Sequence, residues 1–203
     1  KILKNNKGFT IVESLVAISI LTVSILATFT AVQGSLKSSL IVKDQVTAFY
    51  LAQEAVEFIK NLKDENALND TYCISTGTCS SVDWLHGLSE LTSDACWYGG
   101  TGVSQKTCTV DVYTKTVANC AGGFGTCQNL KQNSTTGAFS YTSGASWVAS
   151  NFKREVQISP ISSTEVEIIV TMSWNTGNLA KSFQIKESLF IVFIQILKNI
   201  LFL

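Results

Sequence analysis

Lys7-Gly8-Phe9-Thr10-Ile11-Val12-Glu13-Ser14 leads straight into a long apolar run, and this junction decides how the rest of the chain is organised. From Ser14 to Leu36 there is no charged side chain. A helix of that length crosses a bilayer, at about 1.5 Å per residue against a hydrocarbon core of about 30 Å. Glu13 stands one position outside the run. An ionised carboxylate costs about 2.5–3.5 kcal/mol at the centre of a membrane helix and less near its end. Glu13 is therefore expected at the water interface or beside a partner. It also fits a capping box with Thr10, because Thr-x-x-Glu ahead of an apolar run is a helix-start signature.

The chain has 203 residues and a formal net charge of zero, which suits one domain plus an anchor. Lys1, Lys4 and Lys7 precede Gly8 with no acid among them, so the remainder is net negative. That balance gives no general electrostatic reason to bind nucleic acid. Basic residues ahead of a membrane helix favour a cytoplasmic N-terminus, with the remainder exported. The apolar run is too long for a cleavable secretory signal, and no Ala-x-Ala follows it.

The cysteines agree with export. Cys73, Cys79, Cys96, Cys108, Cys120 and Cys127 make an even set confined to residues 73–127, which suits an oxidising compartment. Six cysteines leave about 15 pairings open. Sequential pairing is the expectation, because each neighbouring pair brackets a loop rich in Gly, Ser and Thr. A metal site is not expected, since the spacings lack the tight C-x2–4-C knuckle of zinc centres.

Helical character continues past the apolar run. Leu36, Leu40, Val42, Val46, Phe49, Ala52, Val56, Ile59 and Leu62 recur at three- and four-residue steps. No proline interrupts residues 9–62. One helix is expected over 9–62, with 9–36 as its membrane part. Gly34 is its weak point, since glycine costs about 1 kcal/mol in a helix interior. Residues 63–144 read as loops, with a single strand at Thr107–Thr114. Three better strands follow at Phe152–Ser159, Glu165–Trp174 and Lys181–Phe190, with a hairpin turn at Asn175-Thr176-Gly177-Asn178. These imply an antiparallel meander with the amphipathic half of the helix laid on one face. The fold class is α+β. The apolar tail 189–203 is too short to span a membrane and contains Lys198; its role is not legible.

Gly8-Phe9-Thr10-Ile11-Val12-Glu13, with lysines before it and an apolar helix after it, resembles the class III signal of type IV prepilins, the family of pilins and pseudopilins. The stretch Tyr50-Leu51-Ala52-Gln53-Glu54-Ala55-Val56-Glu57 is similar to minor pilins of the PilV kind and to type II secretion I-pseudopilins. Arg154-Glu155-Val156 and the Val166–Trp174 strand are weaker signs of the same subgroup. The resemblance implies a pilin fold: a leader at 1–8, a helix at 9–62 and an exported domain at 63–203. It implies cleavage between Gly8 and Phe9 by a prepilin peptidase and N-methylation of Phe9. It implies that Glu13 is the assembly residue, facing the Phe9 amine of a neighbouring subunit. The implied partners are other pilin subunits, the peptidase, an inner-membrane assembly platform and, before assembly, the membrane. The implied location is a single-pass inner-membrane precursor, then an extracellular filament. Many pilins carry a proline about where Thr30 stands; this chain does not.

No catalytic set is visible and no cofactor is implied. His86 is the single histidine and reads as a loop residue. Gly122-Gly123-Phe124-Gly125 lies between two cysteines and reads as a turn rather than a phosphate cradle. The sequence therefore points to a structural subunit, a minor pilin. The alternatives are a secretion or competence pseudopilin, and a monomeric membrane-anchored binding module.

Overall fold

The computed structural model describes residues 8, 10–76, 84–88, 96, 106–162 and 165–190, with backbone alone over 69–76. One helix, α1 (Ile11–Thr76), precedes seven strands: β1 (Cys108–Asp111), β2 (Thr116–Asn119), β3 (Asn129–Asn133), β4 (Phe139–Ser140), β5 (Trp147–Ser162), β6 (Glu165–Thr176) and β7 (Leu179–Phe190). The chain divides into two compact units, Lys1–Lys43 and Asp44–Leu203, and α1 contributes to both.

The helix runs on past Leu62, where the sequence pattern was expected to end it. Residues 63–68 contain neither Gly nor Pro, so nothing breaks the turn-to-turn hydrogen bonding. Asn66, which is buried, ties this extension down. Its Nδ2 donates to the carbonyls of Trp84 (3.2 Å) and His86 (2.9 Å).

All strand pairings are antiparallel. The long strand β5 organises the sheet. One edge pairs with β3 and, at Val156, with β1; the other pairs with β6, which pairs in turn with β7. The β6–β7 hairpin closes through the two residues Gly177 and Asn178, and Gly177 takes a φ of 61°. Such a turn favours a residue without Cβ. The three short strands β2, β3 and β4 were not expected; they carry few of the β-branched and aromatic residues that mark strands.

Within the second unit, α1 lies on one face of the sheet. Ala48, Leu51, Ala52, Ala55, Val56 and Ile59 are buried, at the i, i+3, i+4, i+7, i+8 spacing of one helical face. They meet Val156, Ile158, Ile168, Val170 and Met172 from β5 and β6. This face differs from the expected stripe. Val42, Val46 and Phe49 stay about half exposed, while three alanines go inside. Three small side chains on this face let the helix lie close to the sheet, with Leu51, Val56 and Ile59 packed between them.

One charged group sits inside this layer. Arg154 on β5 is fully buried. Its Nη1 donates to the carbonyl of Leu51 (2.7 Å) and to Glu54 Oε2 (3.0 Å) on α1, and its Nη2 donates to the carbonyl of Val110 on β1. Nε has no partner among the described residues. The guanidinium thus joins helix, central strand and outer hairpin at one point. At the far end of the same face, Lys60 pairs with Glu187 of β7. The hydrogen bond from Glu187 raises the Lys60 pKa against the opposing pull of burial.

Removing one partner of a buried ion pair costs about 3–5 kcal/mol, because the other is stranded. Glu54 keeps 39% of its side-chain surface in water, so the cost is asymmetric. Glu54→Ala, which strands the buried Arg154 charge, is expected to destabilise the domain by about 3 kcal/mol or more. Arg154→Met, which fills most of the same volume and leaves Glu54 able to reach water, should cost less, about 1–3 kcal/mol from the carbonyls left unpaired. Thermal unfolding of the two variants checks the order.

Candidate functional site

The first unit is built for contact with something apolar. Ile11 is 85% exposed, Leu15 63%, Leu26 63% and Phe29 60%. From Ile11 to Leu40 every residue is exposed, on every side of the helix. The helix is long and apolar enough to cross a membrane, and none of its most apolar stretch is buried within the chain.

Its polar groups look after themselves. Between Ser14 and Thr30 every serine and threonine hydroxyl donates to a carbonyl three or four residues earlier. Ser19 reaches Leu15 (2.7 Å), Thr22 reaches Ser19 (2.9 Å), Ser24 reaches Ile20 (2.8 Å) and Thr28 reaches Ile25 (2.9 Å). Ser14 and Thr30 do the same with Thr10 and Ala27. An unsatisfied hydroxyl in hydrocarbon costs several kcal/mol; these bonds remove that cost without any outside partner. Thr30 continues the helix at the position where a kinking proline is absent.

The start of the helix is equally definite. Thr10 is the cap: its Oγ1 accepts from the Glu13 amide (3.3 Å), and its carbonyl accepts from the Ser14 amide (3.2 Å). Glu13 lies in the first turn, where a negative charge meets the positive end of the helix dipole. Its side chain is exposed. Among the described residues, a Cβ placed on Gly8 would meet nothing within 4 Å. Phe9 lies outside the described residues.

Residues 3–29 match the family model of the prokaryotic N-terminal methylation motif. That motif is the class III signal of type IV pilins, and it supports a pilin-like or pseudopilin chain. Proteins built on it are structural rather than enzymatic. No curated protein and no solved structure matches the chain. The matched residues include Gly8, Thr10 and Glu13 and stop within the first unit.

Among its described residues the second unit carries two disulfides, Cys96–Cys108 and Cys120–Cys127, the first within the core that also holds the α1 face. Cys73 and Cys79 lie outside the residues whose side chains are described. Both disulfides join cysteines adjacent in sequence. The Cys120–Cys127 loop folds back on β5, where Glu155 Oε1 accepts from the Gly125 amide (2.7 Å) and Lys153 Nζ donates to the Gly125 carbonyl (2.9 Å). Among the described residues no cluster of His, Cys, Asp or Glu could hold a metal ion. His86 is exposed in the 84–88 turn, and its carbonyl serves Asn66.

Sequence reasoning missed one carboxylate. Asp111, at the end of β1, is buried. Its Oδ1 accepts from the amides of Tyr113 (3.0 Å) and Thr114 (3.2 Å), which shapes the β1–β2 turn. Its Oδ2 accepts from Ser140 Oγ (2.6 Å) and the Tyr141 amide (2.9 Å). Tyr141 Oη then donates to the Arg154 carbonyl (3.2 Å). Burial pushes the Tyr141 phenol up to about 12, against the opposing Arg154 charge. Burial also disfavours the Asp111 carboxylate, but its hydrogen bonds outweigh that and lower its pKa. The only local signal was an acid ahead of a Tyr-Thr-Lys-Thr turn.

A depressed folded-state pKa makes stability available above the unfolded value of about 3.9 and removes it as pH falls through the folded pKa. The domain is therefore expected to lose stability at acid pH as Asp111 protonates. In Asp111→Asn that part of the acid dependence should vanish, at a cost to stability at neutral pH. Melting temperature against pH for the two proteins measures both effects.

Proposed function

We propose that this chain is a structural subunit of a type IV pilus, and a minor one. The observation that carries the reading is the uncovered helix behind the methylation motif. Its apolar side chains face outward on all sides and its hydroxyls need no partner, so it suits a lipid surround first and a bundle of like helices later. In the precursor, the lysines ahead of Gly8 hold the N-terminus in the cytoplasm. A prepilin peptidase cuts between Gly8 and Phe9, and the new Phe9 amine is methylated. An N-methylated amine keeps its positive charge.

Glu13 then faces the Phe9 amine of a neighbouring subunit. At about 4 Å such a pair attracts by about 1 kcal/mol in water and about 4 kcal/mol at an effective dielectric constant near 20. Desolvation offsets part of this gain. The larger effect is on register, because an unpaired carboxylate inside an apolar bundle is costly and one axial position relieves it. The second unit, stapled by its disulfides, forms the outer surface. A secretion or competence pseudopilin would use the same residues in the same way.

Two substitutions separate the steps. Glu13→Ala should insert in the membrane normally, yet enter sheared filaments at least about tenfold less, which corresponds to about 1.4 kcal/mol. Incorporation at the native level would refute the assembly role. Gly8→Leu tests the peptidase step, since a Cβ at Gly8 meets no described residue within 4 Å. Intact mass should show the leader retained; a mature chain starting at Phe9 would rule out the cleavage site.

A further inference from the structure

A cleft of about 470 Å³ opens on the flank of the second unit, between α1 and the ends of β1 and β4. Tyr50 and Glu54 line it from α1, Tyr113 from the β1–β2 turn and Phe139 from β4, beside the buried Leu51. Its volume is within the range of small-molecule sites. Tyr50 is 66% exposed and Tyr113 62%, so neither ring serves the core.

The walls of the cleft are braced from behind. Tyr50 and Glu54 stand one helical turn apart and share a face of α1. Arg154 Nη1 holds Glu54 Oε2 (3.0 Å). The Tyr113 ring meets Trp147 edge to face, 5.3 Å between centres, and Asp111 fixes its amide. Phe139 meets Phe152 in the same way at 5.9 Å. Arg154 and Asp111, both buried, thus each bond to a residue of this cleft. Side chains held in this way are suited to receive a ligand without rearrangement.

The chemistry inside favours one class of ligand. Glu54 Oε1 has no hydrogen-bond partner among the described residues. No Lys, Arg or His lines the cleft. Arg154 is fully buried, and its Nη atoms are occupied by Leu51, Glu54 and Val110. A hard metal ion needs several oxygen ligands at once, and the cleft offers one carboxylate. An organic cation gains from both kinds of wall, because ring faces and a carboxylate oxygen each attract it.

We propose that this cleft binds an alkylammonium group, with Glu54 meeting its charge and Tyr50, Tyr113 and Phe139 surrounding it. Two sources share that chemistry: a free ion such as choline, and a lysine side chain of another polypeptide. The cleft lies wholly within the second unit, so the inference rests on neither leader cleavage nor assembly.

The test is an NMR titration of the full-length chain in micelles of an uncharged detergent. The probes are choline and acetyl-lysine amide. Each is paired with a neutral counterpart: the alcohol in which carbon replaces the choline nitrogen, and the same lysine amide acetylated at Nζ. A charged probe should saturate the chain in the millimolar range. Protons next to its nitrogen should shift upfield under the aromatic rings. Its neutral counterpart should bind at least about fivefold more weakly. The tighter of the two charged probes identifies the source. Tyr50→Leu/Tyr113→Leu keeps apolar bulk but removes two rings, and should weaken binding at least about fourfold. Tyr50→Phe/Tyr113→Phe should leave it unchanged. Both positions are largely exposed, so both variants should keep the parent melting temperature. Equal binding of charged and neutral probes would overturn the inference, since the cleft would then be merely apolar. Full affinity in the double leucine variant would overturn it too, as would failure of both charged probes to saturate.

Discussion

A single buried guanidinium sets the terms for the second unit. Arg154 could have been an aliphatic residue in a simpler core, and such replacements of buried ion pairs are often tolerated or stabilising. Its value lies in direction. Two elements from distant parts of the chain offer it three acceptors, Leu51 and Glu54 on α1 and Val110 on β1, and a shift of α1 along the sheet would break the first two. Apolar packing through alanines would allow the helix to slide. The hydrogen bonds do not. A separate set of bonds ties the small strands to the β5 main chain: Tyr141 Oη donates to the Arg154 carbonyl, and Asp111 accepts from Ser140 of β4.

The two units obey different rules. In the second, charges and disulfides fix one arrangement of a modest core. In the first, apolar side chains from Ile11 to Leu40 are exposed among the described residues, and every hydroxyl from Ser14 to Thr30 is already bonded to its own backbone. One unit is specified from inside; the other is left to be specified by its surroundings.

Much of this was legible. The helix start could be read from Thr10 and Glu13, because capping is local chemistry. The β6–β7 hairpin could be read from Gly177 and the alternation on either side of it. The methylation motif covers 3–29, and the residues quoted from it fall where a helix begins. The failures have physical causes too. Periodicity favoured the bulky residues Val46 and Phe49 as core, whereas the buried face takes Ala48, Leu51 and Ala55 beside the expected Ala52, Val56 and Ile59. Strands β2, β3 and β4 are stabilised by pairing with neighbours rather than by their own propensity, which a single sequence does not display. Arg154 and Asp111 were invisible as core residues because their partners lie far away along the chain.

The hydroxyls of the first unit have a further meaning. A helix whose polar groups are closed on themselves carries a constant inventory of hydrogen bonds wherever it goes. Moving it from one apolar surround to another neither breaks nor makes such a bond. The free-energy difference between two surroundings is then left to shape, to dispersion contacts and to the one ionisable group at its head. Hydrogen bonding along most of the rod therefore neither favours nor opposes such a transfer. A segment of this kind can be drawn out of a membrane and returned to it, with Glu13 as the only residue for which the exchange is not indifferent.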